Sequence, residues 1–110
     1  MKICKIPAVN IRRASEYLKT KGVKTAYVFG SGRCTPNPKH DLDIAVNLPP
    51  TRQNKKKFDD ATEFGIDLCL VDRDDSLFSV GSDDTLYTDD GDLQDLDAVE
   101  AIKFKVKSKK

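Results

Sequence analysis

Residues 23–46 decide the fold. They begin with Val23-Lys24-Thr25-Ala26-Tyr27-Val28-Phe29, pass through Gly30-Ser31-Gly32-Arg33 and a loop with two prolines, and end on Asp41-Leu42-Asp43-Ile44-Ala45-Val46. The first run is rich in β-branched and aromatic residues and predicts a strand that stops at the glycine turn. The segment 33–40 has no periodicity and reads mostly as loop. The last run alternates strictly and predicts a second strand. Residues two apart in a strand share a face at about 7 Å spacing. With Leu42, Ile44 and Val46 in the core, Asp41 and Asp43 therefore stand together on the other face.

The neighbouring segments fit around this pair of strands. Upstream, Val9, Ile11, Ala14, Tyr17 and Leu18 recur at helical spacing and predict a helix over residues 7–21, with Pro7 early and Gly22 beyond its end. Downstream, Pro49-Pro50 ends the second strand. Residues 51–64 predict a short helix with Thr51 as N-cap and Gly65 as stop. Ile66-Asp67-Leu68-Cys69-Leu70-Val71 alternates again, so Asp67 turns outward on a third strand. Residues 77–80 and 85–88, around Gly81-Ser82-Asp83-Asp84, predict a hairpin. Asp92 reads as the cap of a helix carrying Leu93, Leu96 and Val99 to about residue 101, followed by a strand or a basic tail over 103–110.

The expected architecture is one α+β domain spanning residues 1–110. It has a small mixed sheet with flanking helices, ordered helix-strand-turn-strand-helix-strand, then a hairpin and a C-terminal helix or strand. A chain of 110 residues holds one ordinary domain and not two.

The net charge of +1 is a cancellation. Residues 1–58 carry thirteen Lys and Arg against three acids, a net of +10; residues 59–100 carry fifteen acids against Arg73 alone, a net of −14; the last ten residues add five lysines. No stretch approaches the roughly 20 apolar residues of a membrane span, and no apolar run follows Met1 as a signal peptide requires. Cys4, Cys34 and Cys69 are odd in number and widely spaced, which argues against a disulfide framework or a zinc knuckle and for a reducing compartment. The expectation is a cytoplasmic protein.

If the second and third strands are neighbours, Asp41, Asp43 and Asp67 converge. Two carboxylates at about 7 Å repel by about 2 kcal/mol at an effective dielectric near 20. A hard cation such as Mg²⁺ or Mn²⁺ removes that cost, and an all-oxygen donor set suits it. A lone D-x-D more often keeps one sheet face wet. The turn at Gly30-Ser31-Gly32 adds backbone N–H groups able to hold phosphate oxygens, although it completes neither a P-loop nor a G-x-G-x-x-G.

Phe29-Gly30-Ser31, then Asp41-Leu42-Asp43-Ile44, then Ile66-Asp67-Leu68 resembles the nucleotidyltransferase superfamily that includes DNA polymerase beta. The run Val71-Asp72-Arg73-Asp74-Asp75 followed by Thr85-Leu86-Tyr87 looks like its small stand-alone members, the minimal nucleotidyltransferases, and the resemblance spans about residues 23–90. It implies that Gly30 and Ser31 contact the β- and γ-phosphates of an NTP, ATP above all. It also implies that Asp41 and Asp43 hold the metals, and that Asp67 completes the second metal site and accepts the proton of the attacking hydroxyl. Small members usually follow Gly-Ser with Arg-Gly. Here the run is Gly32-Arg33-Cys34-Thr35, which leaves Arg33 as a displaced cation for the triphosphate, and His40 stands where Ser often precedes the first aspartate.

Minimal members are commonly paired with a helical HEPN ribonuclease toxin, which they neutralise by transferring AMP to it. The resemblance thus implies an antitoxin-like transferase whose missing wall comes from a partner protein or a second copy. The alternatives are a catalytically silent nucleotide- or partner-binding module, and a transferase acting on a small molecule or an RNA end.

Other motifs read more plainly. His40 reads as a loop histidine, and Cys69 lacks a base partner that would make it a nucleophile. Lys55-Lys56-Lys57 and the C-terminal lysines are solvated surface or contacts for nucleic-acid phosphate. Asp72, Asp74 and Asp75 read as a polar loop, and the acidic stretch 83–97 as surface or as a dock for a basic partner.

Overall fold

Alternation sorts the side chains of the strands onto two faces of one sheet. The computed structural model describes residues 5–36, 41–73, 75–80 and 95–107. Its strands are β1 (Thr25–Phe29), β2 (Leu42–Val46), β3 (Ile66–Val71), β4 (Leu77–Ser79) and β5 (Ile102–Lys105), in the order β4-β3-β2-β1-β5. β2 and β3 run parallel and the other neighbours antiparallel, so the sheet is mixed. With its two helices, the molecule is a small α+β fold.

Leu42, Ile44, Val46, Ile66, Leu68 and Leu70 all enter the main core, as alternation requires, together with Ala26, Val28 and Phe104. Helix α1 (Ala8–Leu18) covers this face with Ala14, Tyr17 and Leu18. A 3-10 turn over Lys19–Lys21 and Gly22 at φ 78° end it where the glycine predicted. The opposite face carries a smaller cluster of Ala45, Cys69, Val71 and Leu77, packed by Tyr27, Phe29, Leu96 and Val99. Burying these side chains contributes about 25 cal/mol per Å² of apolar surface.

The helix expected over 51–64 is split. Thr51 caps α2 (Arg52–Lys57) by accepting from the Asn54 N–H at 3.1 Å, but the helix ends at Phe58, and a separate 3-10 turn spans Ala61–Phe64. Phe58 is fully buried and lies 6.4 Å from the Tyr17 ring. The Tyr17 hydroxyl donates to Asp60 at 2.6 Å. These two anchors draw the chain onto α1 and interrupt the helix.

Residues 95–100 form turns where a helix was expected. The Leu96 N–H donates across to the Asp75 carbonyl at 3.1 Å, the Ala98 N–H donates to the Asp95 side chain at 2.7 Å, and Glu100 reverses the chain at φ 53°. The chain then enters β5 as an edge strand on β1. Its extension is tied to α1 by the Lys107 N–H donating to Ser15 Oγ at 2.9 Å. The basic tail expected over 103–110 is therefore strand as far as Lys105.

Cys34 is disulfide-bonded and Cys69 is a free, buried thiol, so a cross-link forms where the cysteine spacing argued against a disulfide framework. The second hairpin arm at 85–88, the cap at Asp92 and His40 lie outside the described residues. Among the described residues, no helix is long and apolar enough to cross a membrane.

Candidate active site

The site is built where β1 runs out. Phe29 is the last residue of β1, and Gly30 follows at φ 71° into a 3-10 turn over Gly30–Arg33. A Cβ at Gly30 would collide with the Asp43 carboxylate, because Asp43 pairs with Phe29 across the antiparallel β1–β2 ladder. Glycine is thus required twice here, for the left-handed backbone and for the close approach.

The turn is held from behind by Asn10. This residue is 2% exposed, and its side-chain amide donates to the carbonyls of Gly32 and Thr35, both at 2.9 Å. A buried amide bonded in this way fixes the turn against α1.

In the parallel β2–β3 ladder Asp43 stands opposite Asp67. Burial raises the Asp43 carboxyl to about 6, helped by the charge of Asp67, by a hydrogen bond shared with it, and by the charge of Asp41. Cys69, two residues beyond Asp67 on the same face, is pushed up to about 12 by burial and by the same two carboxylates. Its thiol is held neutral and does not act as a nucleophile near neutral pH.

Asp41 lies just before β2 and is exposed. The structure thus brings Asp43 and Asp67 together and leaves Asp41 at their edge. The backbone of Ser31 lies in the turn beside them. Arg33 folds back: its Nε donates to the Gly30 carbonyl at 3.1 Å, and its Nη1 donates to the Glu100 carbonyl at 3.2 Å and to Glu100 Oε1 at 3.0 Å. The expected triphosphate cation is present at the turn but paired.

Carboxylate oxygens that repel one another fit a hard divalent cation in chemistry. Among the described residues, however, no group of three or more His, Cys, Asp or Glu side chains is gathered to hold a metal ion. The loop after β3 behaves as a polar turn, with the Asp72 side chain accepting from the Arg73 N–H at 2.8 Å.

Two residues of this site were not found from sequence. Asn10 shares the buried stripe of α1 with Ala14 and Tyr17, and a polar residue on that stripe was a legible signal. Glu100 gave none, since its contact depends on the turns over 95–100. Comparisons of the chain with family models, with curated proteins and with solved structures returned no match.

Proposed function

We propose that this protein is a nucleotidyltransferase dependent on Mg²⁺ or Mn²⁺, moving AMP from ATP to a hydroxyl on a partner protein such as a HEPN-type toxin. The observation that carries the reading is the Asp43–Asp67 pair on adjacent parallel strands, directly beside a glycine turn. Asp43 and Asp67, with Asp41 at their edge, would hold the cation, which when bound supplies positive charge to the phosphates. Backbone N–H groups at Gly30 and Ser31 face phosphate oxygens in this reading, and Arg33 exchanges Glu100 for the triphosphate. Asp67, exposed at the start of β3, takes the proton of the attacking hydroxyl on a carboxylate oxygen. The acceptor oxygen bonds to the α-phosphorus as the bond to pyrophosphate breaks. The rate gain comes from alignment.

The net of −14 over residues 59–100 suits a basic partner or second copy that completes the site. The engagement of Arg33 by Glu100 and the outlying place of Asp41 favour a second reading: a silent nucleotide- or partner-binding module.

The test uses purified protein, Mg²⁺ and α-labelled NTPs, alone and with the neighbouring gene's product, with Asp41→Ala/Asp43→Ala as control. Label transferred to a protein by the wild type alone supports the transferase. Label on a small molecule or an RNA end moves the acceptor. Absence of turnover with every NTP, with partner binding intact in the double variant, replaces the transferase by the silent module.

A further inference from the structure

Lys57, the last residue of the lysine run on α2, has a setting that the proposed chemistry does not use. It lines a cavity of about 310 Å³ together with Lys21, Lys24, Thr25 and Asn47. The cavity lies where β1 begins and β2 ends, at the far end of these strands from Phe29 and Asp43. A second cavity of about 320 Å³ adjoins it and adds Lys19, with Lys24 lining both.

Two of these ammonium groups are positioned by aromatic rings. Lys21 Nζ sits 5.5 Å from the centre of the Tyr17 ring, and Lys57 Nζ sits 5.8 Å from that of Phe58. Aromatic faces attract cations and restrict long flexible side chains. Lys21 also pairs with Asp60 at 3.4 Å, but Asp60 already accepts the Tyr17 hydroxyl through its other oxygen. Among the described residues Lys24 and Lys57 take part in no ion pair, and no carboxylate lines the cavity. Gly22, at φ 78° with open space where a Cβ would be, leaves that part of the wall bare.

Lys24 and Lys57 bring charge to the cavity that no carboxylate offsets, Lys21 adds a third cation that Asp60 offsets in part, and an anion among them relieves their repulsion. A carboxylate offers two oxygens in one plane, whereas a phosphate spreads its oxygens and charge tetrahedrally. Lysine serves such a group as a point charge. Two adjoining cavities that share Lys24 suit successive phosphates.

We propose that this cavity is a phosphate-binding site, separate from the carboxylate pair, for the phosphates of a single-stranded nucleic acid or of a free oligophosphate. The test is made in EDTA, so that no divalent ion bridges ligand to Asp43 and Asp67. Binding of tripolyphosphate is measured by calorimetry. Binding of a labelled single-stranded RNA of about 12 nucleotides is measured by anisotropy over a salt series. Lys24→Gln/Lys57→Gln is compared with Lys103→Gln/Lys105→Gln, which removes the same charge from exposed positions of β5, and melting curves check that both fold.

The cavity variant is expected to lose about tenfold or more in affinity and the β5 variant less than about threefold. On RNA, the cavity variant should lower the log–log salt slope by about 1.4 for two lost contacts. Selective loss on RNA identifies a nucleic-acid strand as the source, and loss on tripolyphosphate alone identifies a free oligophosphate. Equal loss in the two variants, or no binding of either ligand by the wild type, overturns the proposal. None of these outcomes depends on nucleotidyl transfer.

Discussion

Asp43 and Asp67 stand in register on the parallel strands β2 and β3, where burial and the charge of Asp67 raise the Asp43 carboxyl to about 6. Burial of Asp43 disfavours its charged form most, and protonating it also relieves the repulsion from Asp67. The folded state therefore holds this proton more tightly than the unfolded chain.

The sign of the pH effect follows. A carboxyl raised from 3.8 to about 6 stabilises the metal-free protein below pH 3.8, and that contribution is lost as pH rises through 6. In full the shift is worth about 3 kcal/mol, and solvent screening of a half-buried group reduces it to about 1–2 kcal/mol. In EDTA, the wild type should lose about 5–10 °C in Tm relative to Asp43→Asn between pH 4.5 and 7.5. Parallel curves for the two proteins would show that Asp43 titrates normally.

Gly30 and Gly22 make a matched pair for the close approach. Both have left-handed backbone, but a Cβ at Gly22 meets open space and one at Gly30 meets Asp43. Gly22→Ala should cost about 1 kcal/mol for the backbone alone. Gly30→Ala should cost about 1–3 kcal/mol more, because the carboxylate must move. Urea denaturation of the two variants gives the difference, and equal costs would mean that Asp43 does not press on the turn.

Asn10 is the third point of leverage. Asn10→Ala removes one buried and one part-buried hydrogen bond and leaves the Gly32 and Thr35 carbonyls without this donor. The expected loss is about 2–4 kcal/mol. Hydrogen exchange should quicken in residues 30–36 more than in β3. A loss spread evenly over the sheet would make Asn10 a general core residue.

Much of this arrangement was legible in the sequence because strands with one buried face carry period-two patterns. Alternation alone bounds β3 at Ile66–Val71, and the outward turn of Asp43 and Asp67 follows from the same pattern. Local signals did less well where tertiary contacts decide. Phe58 and Asp60 break a helix through partners on α1, and Leu96 gives its N–H to Asp75, some twenty residues earlier. The pattern over Ile102–Lys105 allowed a helix end or an edge strand, and pairing with β1 decided it. Alternation places Asp41 inside the second strand. It lies one residue outside, where no ladder partner fixes it beside Asp43.

Cys69 tests the field of the carboxylates from a neutral group. With its thiol at about 12, the thiolate fraction at pH 8 is about 10⁻⁴, and alkylation of the native protein should be slow. Asp43→Asn/Asp67→Asn removes the two charges but not the burial, so the thiol should fall only part of the way and alkylation should quicken several-fold at pH 9. An unchanged rate, measured by mass spectrometry, would assign the whole shift to burial.

The Arg33–Glu100 pair bears on the transferase reading directly. Both side chains are partly exposed, at 26% and 45%, and an exposed ion pair of this kind contributes about 0–1 kcal/mol. A triphosphate competes readily at that cost, since an anion bearing several charges gains more from a guanidinium than one carboxylate does. Glu100→Gln keeps the length of the side chain and removes its charge. It should leave Tm within about 2 °C and tighten Mg²⁺–ATP binding about three- to tenfold, whereas Arg33→Gln should weaken it. Calorimetry on the two variants separates the readings: opposite changes place Arg33 on the nucleotide, and no change in either shows that the guanidinium only ties the glycine turn to residue 100.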